Sequence, residues 1–458
     1  MSPTRKSIAA LVAGLVLCAG SAHPGIALTD EEIFRDVPFN LLNPGARAMS
    51  LGGAFTSLAD DSSAAQANPA GLVTLRRPEL FLEIRAQQLD ASETNVAGPI
   101  VGEFFQGFVS AGALSNPSAR VSPTFVSWVV PRRRVAFALS RLESLDVRAR
   151  TENTFSLVGR QAVVDPLSGK PVPDTFEDID YDLTADADIS AHIVQYNAAF
   201  AVELLSGFSV GITAVWGRLD MDGRVDNLFV DNTALPNEPF AEPTLEYATR
   251  IDDDDTDLAW TIGVMWRPTE WLNIGGTFRQ GLDFTLEERV PSIGLRHRAA
   301  QELYGKQFDL VLRTPDTAAF GVSVRPGERW TILVDVVRVE YSDLLDTYRP
   351  GLNRLTFPEP TTPFTVDDGT EVHGGIEYIW LARRTPVALR VGAWREADHR
   401  IRFGGTDPGF QQVFPEGEAL THYTAGVGVT VKQSIQVDIA VDVSDRSTAF
   451  VGSTIYRF

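Results

Sequence analysis

After residue 78 the chain is written with a period of two. In SIQVDIAVDVS, Ile435, Val437, Ile439, Val441 and Val443 fall on one face, and Gln436, Asp438, Ala440, Asp442 and Ser444 on the other. Two aspartates on one face need water or partners, so that face is not a dry sheet core. LAWTIGVMW sets Leu258, Trp260, Ile262, Val264 and Trp266 against Ala259, Thr261, Gly263 and Met265, and HIVQYNAAFAVEL alternates in the same way. Segments of this kind predict strands near 79–89, 122–131, 134–148, 190–204, 207–221, 257–267, 271–287, 308–325, 329–342, 371–381, 385–396, 420–431, 434–444 and 450–458. These are fourteen, an even number.

The connections alternate in length. Tight turns stand at 131–134, 205–206, 268–270, 326–328, 382–384 and 432–433. The segments 90–121, 149–189, 222–256, 288–307, 343–370 and 397–419 are long, and only 445–449 is brief. A soluble sandwich has no reason to keep that rhythm. An outer-membrane barrel does, with short turns in the periplasm and long loops outside. The fold predicted is therefore all-β, a fourteen-stranded antiparallel transmembrane β-barrel over residues 79–458. The last strand, FVGSTIYRF, places Phe450, Gly452, Thr454, Tyr456 and Phe458 on one face. Its aromatics suit an interfacial girdle. The terminal Phe458 resembles the signal that such barrels present to the barrel assembly machinery.

Charge and cysteine usage narrow the reading. The 458 residues carry 60 acidic and 40 basic side chains, a formal net charge of −20, which argues against nucleic acid as a partner. The opening MSPTRKSIAALVAGLVLCAGSAHPGIAL reads as a signal peptide over residues 1–27, with cleavage after Ala22 or Ala27. A lipoprotein signal at Cys18 is the other option, but Leu17 is large for one. Cys18 is the only cysteine, so a processed chain holds neither disulfide nor thiol nucleophile. Beyond the signal no apolar run reaches the length of a transmembrane helix.

Residues 28–78 lack strand alternation. Thr29 and Glu32 fit the capping box of a short helix. GARAMSLGGAFTSLADDSSAAQANPAGL, residues 45–72, follows, almost all of it small side chains. Glycines at 45, 52 and 53 and the constraint of Pro69 on Asn68 predict compact, tightly turned chain. It is either a periplasmic arm or a plug folded into the lumen.

This stretch resembles the FadL/TodX-type outer-membrane transporter family for long-chain fatty acids and hydrophobic compounds. The match lies in G-A-R-A-x-S-x-G-G-A-F and N-P-A-G-L, and more weakly in LNIGGTFRQG, PDTAAFGVSVRPGERW and HYTAGVGV. The resemblance implies a fourteen-strand barrel with an N-terminal hatch in the lumen, the hatch motif falling on Asn68, Pro69 and Ala70, with Gly71 following. It also implies passive uptake of hydrophobic molecules, caught by outer loops, held in the lumen and released sideways through the wall. Related barrels that serve as secretion-system shuttles, docking exported proteins, share the N-terminal motif and form the alternative.

Candidate ligand-lining positions follow from the inward faces: Phe125, Val129, Met265, Leu333, Val337 and Trp394, which serve equally as packing against a plug. A fatty-acid carboxylate wants a cation, and Arg279 and Arg390 face inward. Both also suit lumen salt bridges with Asp438, Asp442 or Glu203. The acidic segment 222–256, ending IDDDDTD, reads as a solvated loop bridging lipopolysaccharide and lacks the spaced ligands of an EF-hand. Gly207-Phe208-Ser209-Val210-Gly211 matches G-x-S-x-G, yet it opens a strand, so Ser209 is a lumen residue and no enzyme is expected. No metal or cofactor is expected either.

Overall fold

The computed structural model describes residues 41–458 except 90–91, 102–104, 118–119, 165–170, 233–243, 294–303, 347–363, 383–384 and 405–415. The expected signal peptide and the Thr29–Glu32 helix lie outside the described residues. Fourteen strands close a ring: β1 (Glu79–Leu89), β2 (Arg120–Arg132), β3 (Val135–Val164), β4 (Pro171–Leu205), β5 (Phe208–Asp231), β6 (Thr244–Thr269), β7 (Leu272–Arg279), β8 (Thr317–Val324), β9 (Trp330–Val339), β10 (Gly369–Ala382), β11 (Thr385–Glu396), β12 (Leu420–Val431), β13 (Ile435–Val443) and β14 (Ser447–Arg457). Each pairs antiparallel with its neighbours in sequence, and β14 returns to β1 from Glu79↔Arg457 to Leu89↔Ser447. The Phe458 N–H donates to the Pro78 carbonyl at 3.2 Å, the last stitch of the ring. No helix among the described residues is long and apolar enough to cross a membrane.

The period of two sorts the wall. Leu258, Trp260, Ile262, Val264 and Trp266 of β6 are exposed, while Ala259, Thr261 and Met265 are buried inside. Phe208 stands beside Trp266 at the end near the short turns, and Trp216 with Leu258 at the other, an apolar band between aromatic rims.

Three expectations are corrected. The segments 149–189 and 222–256 are not loops: β3 with β4, and β5 with β6, continue as paired strands well past the apolar band. A ribbon with water on both faces carries no hydrophobic alternation, so its strands are invisible to the periodicity that marks the wall. The acidic run IDDDDTD therefore lies on β6. The expected strands 271–287 and 308–325 are also interrupted. β7 stops at Arg279 and an outer strand Asp283–Ile293 begins after a kink; β8 is preceded by Gln307–Arg313 across a kink at Thr314–Asp316. A further pair, Ser92–Val101 with Phe105–Pro117, lies within the expected first loop.

Candidate functional site

Residues 43–72 fold inside the ring and are almost wholly buried, with α1 (Ala46–Met49), α2 (Ala64–Ala67) and a 3-10 turn over Pro69–Thr74. Small side chains let this plug meet the wall through its backbone, and the wall meets it with glycine. Gly211 and Gly263, opposite each other on β5 and β6, lie against Pro69 and Asn68. Gly275 and Gly321, opposite on β7 and β8, lie against Thr56 and Ser57; Gly375 and Gly392, on β10 and β11, lie against Leu51 and Gly52. Gly52 and Gly53 turn with φ of 68° and 79°, a conformation that favours glycine.

Wall side chains meet the plug's unpaired backbone groups. Asp335 Oδ2 accepts from the Phe55 and Thr56 N–H groups, each at 2.8 Å, and Glu83 accepts from the Gly45 N–H. The Ser209 hydroxyl donates to the Ala70 carbonyl at 2.8 Å, so Ser209 and Gly211 of the G-x-S-x-G match are both plug contacts. Asn68 is the plug's own clasp. Its amide donates to the carbonyls of Thr56 (2.9 Å) and, across to the wall, Val264 (3.1 Å), while Oδ1 accepts from the Ala70 N–H at 3.1 Å. Pro69 opens the 3-10 turn, where its missing N–H is no loss.

An ionic chain ties plug to wall on one side. Arg47 meets Asp60 at 2.5 Å and Glu377 at 3.2 Å; Arg390 meets Glu377 at 2.7 Å and Asp438 at 2.6 Å. Gln436 links Asp438 to Arg457, and Arg457 pairs with Glu79, which accepts from the Ser62 hydroxyl at 2.7 Å. Within the plug, burial pushes the Asp61 carboxyl up to about 6, against the opposing pull of Arg47.

Above the plug the lumen is closed by an apolar layer. Strand residues Ile193, Leu219, Ile251 and Val339 meet Leu282 at the kink, Phe284, Leu286 and Leu312 of the outer strands and Leu344, Phe364, Val366 and Ile401 from the loops. Leu41 packs beneath. A groove of about 630 Å³ elsewhere, between Trp330, Tyr378, Leu389, Val427, Ile439 and Phe450, is lined mainly by outward side chains and belongs to the lipid-facing wall.

The structure separates the candidate residues by role. Val129, Met265 and Leu333 pack against the plug, and Phe125 packs on Phe81 with ring centroids 5.5 Å apart. Trp394 is stacked between His373 and His422 and donates to Asp442 at 2.9 Å. Arg390 is spent on the ionic chain. Val337 borders the apolar layer. Arg279 lies where plug and layer meet, donating to Asn43 Oδ1 at 2.7 Å and the Ala67 carbonyl at 3.2 Å, and has no carboxylate partner among the described residues. Sequence reasoning missed the paired wall glycines; their signal was a glycine at inward parity on adjacent strands.

The wall has a break between β2 and β3. Backbone pairing ends at Phe125↔Leu142, two residues after Pro123, which has no N–H to offer a ladder. Above it side chains bridge the edges: Arg120 to Asp146, Ser122 to Glu143, and Arg141 to the Pro123 carbonyl at 2.8 Å. As for metals, Asp316, Glu340 and Asp343 converge, but Arg313 stands 3.6 Å from Asp316 and 3.5 Å from Asp343 and already supplies positive charge.

Residues 177–368 match the family model described as Outer membrane protein transport protein (OMPP1/FadL/TodX), and residues 28–100 match that of the Uncharacterised protein family (UPF0164). A comparison with curated proteins returns no match. Among solved structures the chain is similar to a Pseudomonas aeruginosa FadL homologue, at 16% identity and a TM-score of 0.59, covering 92% of this chain and 99% of that one. It is similar to the Ralstonia pickettii toluene transporter TbuX at 14% identity and 0.57, covering 92% and 99%. For the Pseudomonas putida toluene transporter TodX the values are 15% and 0.53, covering 92% and 100%. At such identities the likeness is one of fold.

Proposed function

We propose that this barrel, which matches the FadL/TodX family model over residues 177–368 and shares the fold of FadL/TodX-type structures, acts as a transporter of that type, and that its cargo is a hydrophobic molecule ending in a carboxylate, with long-chain fatty acids as the class. Transport of hydrophobic compounds across the outer membrane is the family's role, and the plugged lumen beneath an apolar layer suits it. An acyl chain within that layer gains about 25 cal/mol for each Å² withdrawn from water.

The observation that carries the finer reading is Arg279. A guanidinium at the junction of layer and plug, with no carboxylate of its own among the described residues, supplies the pole that a fatty-acid head needs. Its present acceptors belong to the plug. A carboxylate arriving at Arg279 competes with Asn43 and the Ala67 carbonyl and so loosens the plug from above. The β2–β3 break supports sideways release. An exported-protein shuttle needs a docking surface on the outer loops, and no observation on the described residues favours it.

The test is uptake of oleate and of toluene by cells in which this barrel is the sole channel for both. Arg279→Gln, which keeps donors for the plug, is expected to lower oleate uptake about ten-fold or more, the scale of one charge-assisted hydrogen bond, and to leave toluene unchanged. Arg279→Lys is expected to restore part of the oleate uptake. Equal uptake of oleate by parent and Arg279→Gln would remove the carboxylate from the reading; a parent that carries neither compound would remove transport itself.

A further inference from the structure

Between β6 and the outer strand Asp283–Ile293 the backbone ladder stops and then resumes. Below, it reaches the Gln280 N–H on the Trp260 carbonyl at 3.0 Å; above, it starts again at Ile251↔Glu288. In the interval, three alternate aspartates of IDDDDTD reach across instead. Asp257 Oδ2 accepts from the Asp283 N–H at 2.9 Å, Asp255 Oδ2 from the Thr285 N–H at 2.7 Å, and Asp253 Oδ2 from the Glu287 N–H at 2.8 Å. The two strands run side by side, held a side chain apart.

This seam differs from the laddered parts of the ring in what parting it requires. A backbone ladder opens only if a strand moves. A carboxylate leaves by rotation about its own side-chain bonds, and water takes its place on the N–H. Directly behind the seam stand Ile251, Ala259, Leu282, Phe284 and Leu286, all buried members of the apolar layer. At its lower edge Leu258 and Trp260 are exposed on the outer aromatic rim, with Trp260 against Phe278 at 5.3 Å between ring centroids. The seam thus lies between the outer aromatic rim and the apolar interior.

We infer that the seam is a lateral entry portal, through which a hydrophobic molecule resting at the outer interface passes into the apolar layer, with Asp253, Asp255 and Asp257 as its movable bars. The inference rests on the transport reading above and adds an orientation: three carboxylates repel an anionic head, so a fatty acid enters tail first. Asp283 is drawn to Arg313 at 3.3 Å, and Asp254 to Arg218 at 3.4 Å, so the cations nearby are engaged with other carboxylates.

The test locks the seam. Thr256 and Thr285 are exposed on its two sides; with Cys18 replaced by serine, T256C and T285C are joined by a short bis-maleimide, and uptake of radiolabelled oleate and toluene is compared before and after bridging. The control, T285C with V311C, bridges the two outer strands to each other, where Thr285 pairs with Val311, and leaves the seam free. The expected result is a loss of at least ten-fold on bridging Thr256→Cys to Thr285→Cys and none in the control. Undiminished uptake with the seam bridged overturns the portal while transport stands; an unbridged parent that carries neither probe overturns both. A second arm replaces all three aspartates by alanine. Faster amide hydrogen exchange at 283, 285 and 287 with uptake kept or raised supports movable bars, and loss of uptake in a normally assembled barrel overturns them.

Discussion

Gly211 on β5 lies so close beneath Pro69 that a methyl group in its place would stand 2.5 Å from the Pro69 carbonyl carbon and from the Ala70 nitrogen. Backbone on both sides leaves nothing soft to yield. Gly211→Ala is therefore expected to weaken plug docking by about 1–3 kcal/mol, the usual cost of overpacking, while the barrel still assembles. Higher ion conductance in planar bilayers, with unchanged heat-modified mobility of the barrel, is the readout.

Asn68 acts through hydrogen bonds rather than through volume. Asn68→Ala deletes two donors and one acceptor that hold Thr56, Val264 and Ala70. The expected loss is on the order of 2–3 kcal/mol of plug stability. Protease cleavage of the plug in the assembled barrel measures it, and resistance equal to the parent's would contradict the clasp.

The pH dependence of docking follows from Asp61, which lies in the plug and not in a spanning strand. Docked, its carboxyl sits at about 6 through burial; released into water it returns to its ordinary 3.8. The docked plug therefore binds the extra proton, and this contribution is fully present below the lower value and is lost as pH rises through the higher one. Between pH 4 and 6 docking weakens by about 2 kcal/mol. Conductance that rises across that window in the parent and stays level in Asp61→Asn is the expected pattern.

Arg390 carries two buried carboxylates at once. Arg390→Met leaves Glu377 with Arg47 alone and strips Asp438 of its guanidinium, a loss of about 3–5 kcal/mol by the usual cost of an uncompensated buried charge. Adding Glu377→Gln and Asp438→Asn is expected to recover much of it. Thermal unfolding in detergent resolves the set, and an unrescued triple variant would count against the ionic chain.

Phe458 is exposed, and its backbone N–H completes the ring at Pro78. If its ring is the signal read during assembly, deletion of Phe458 is expected to lower the amount of folded barrel in the outer membrane several-fold while refolding in detergent is unaffected. Unchanged membrane levels would remove that role.

The sequence by itself determined the count of wall strands, the face each residue takes and which ends are short, because lipid on one side and lumen on the other impose a period of two that every residue records locally. SIQVDIAVDVS is legible for that reason, with Ile439 exposed and Asp438 buried. Tertiary structure alone decided what each inward residue meets. Arg279 and Arg390 share parity and chemistry, yet Arg390 has Glu377 on the adjacent strand and Asp438 two strands away, while Arg279 has only plug oxygens. Nor did local pattern show that Gly211 and Gly263 make room for Pro69 and Asn68, that the water-washed ribbons beyond the band are strands, or that three aspartates span a parted ladder. Each depends on residues far apart in the chain coming within bonding distance, and burial and partnership of that kind leave no periodic trace.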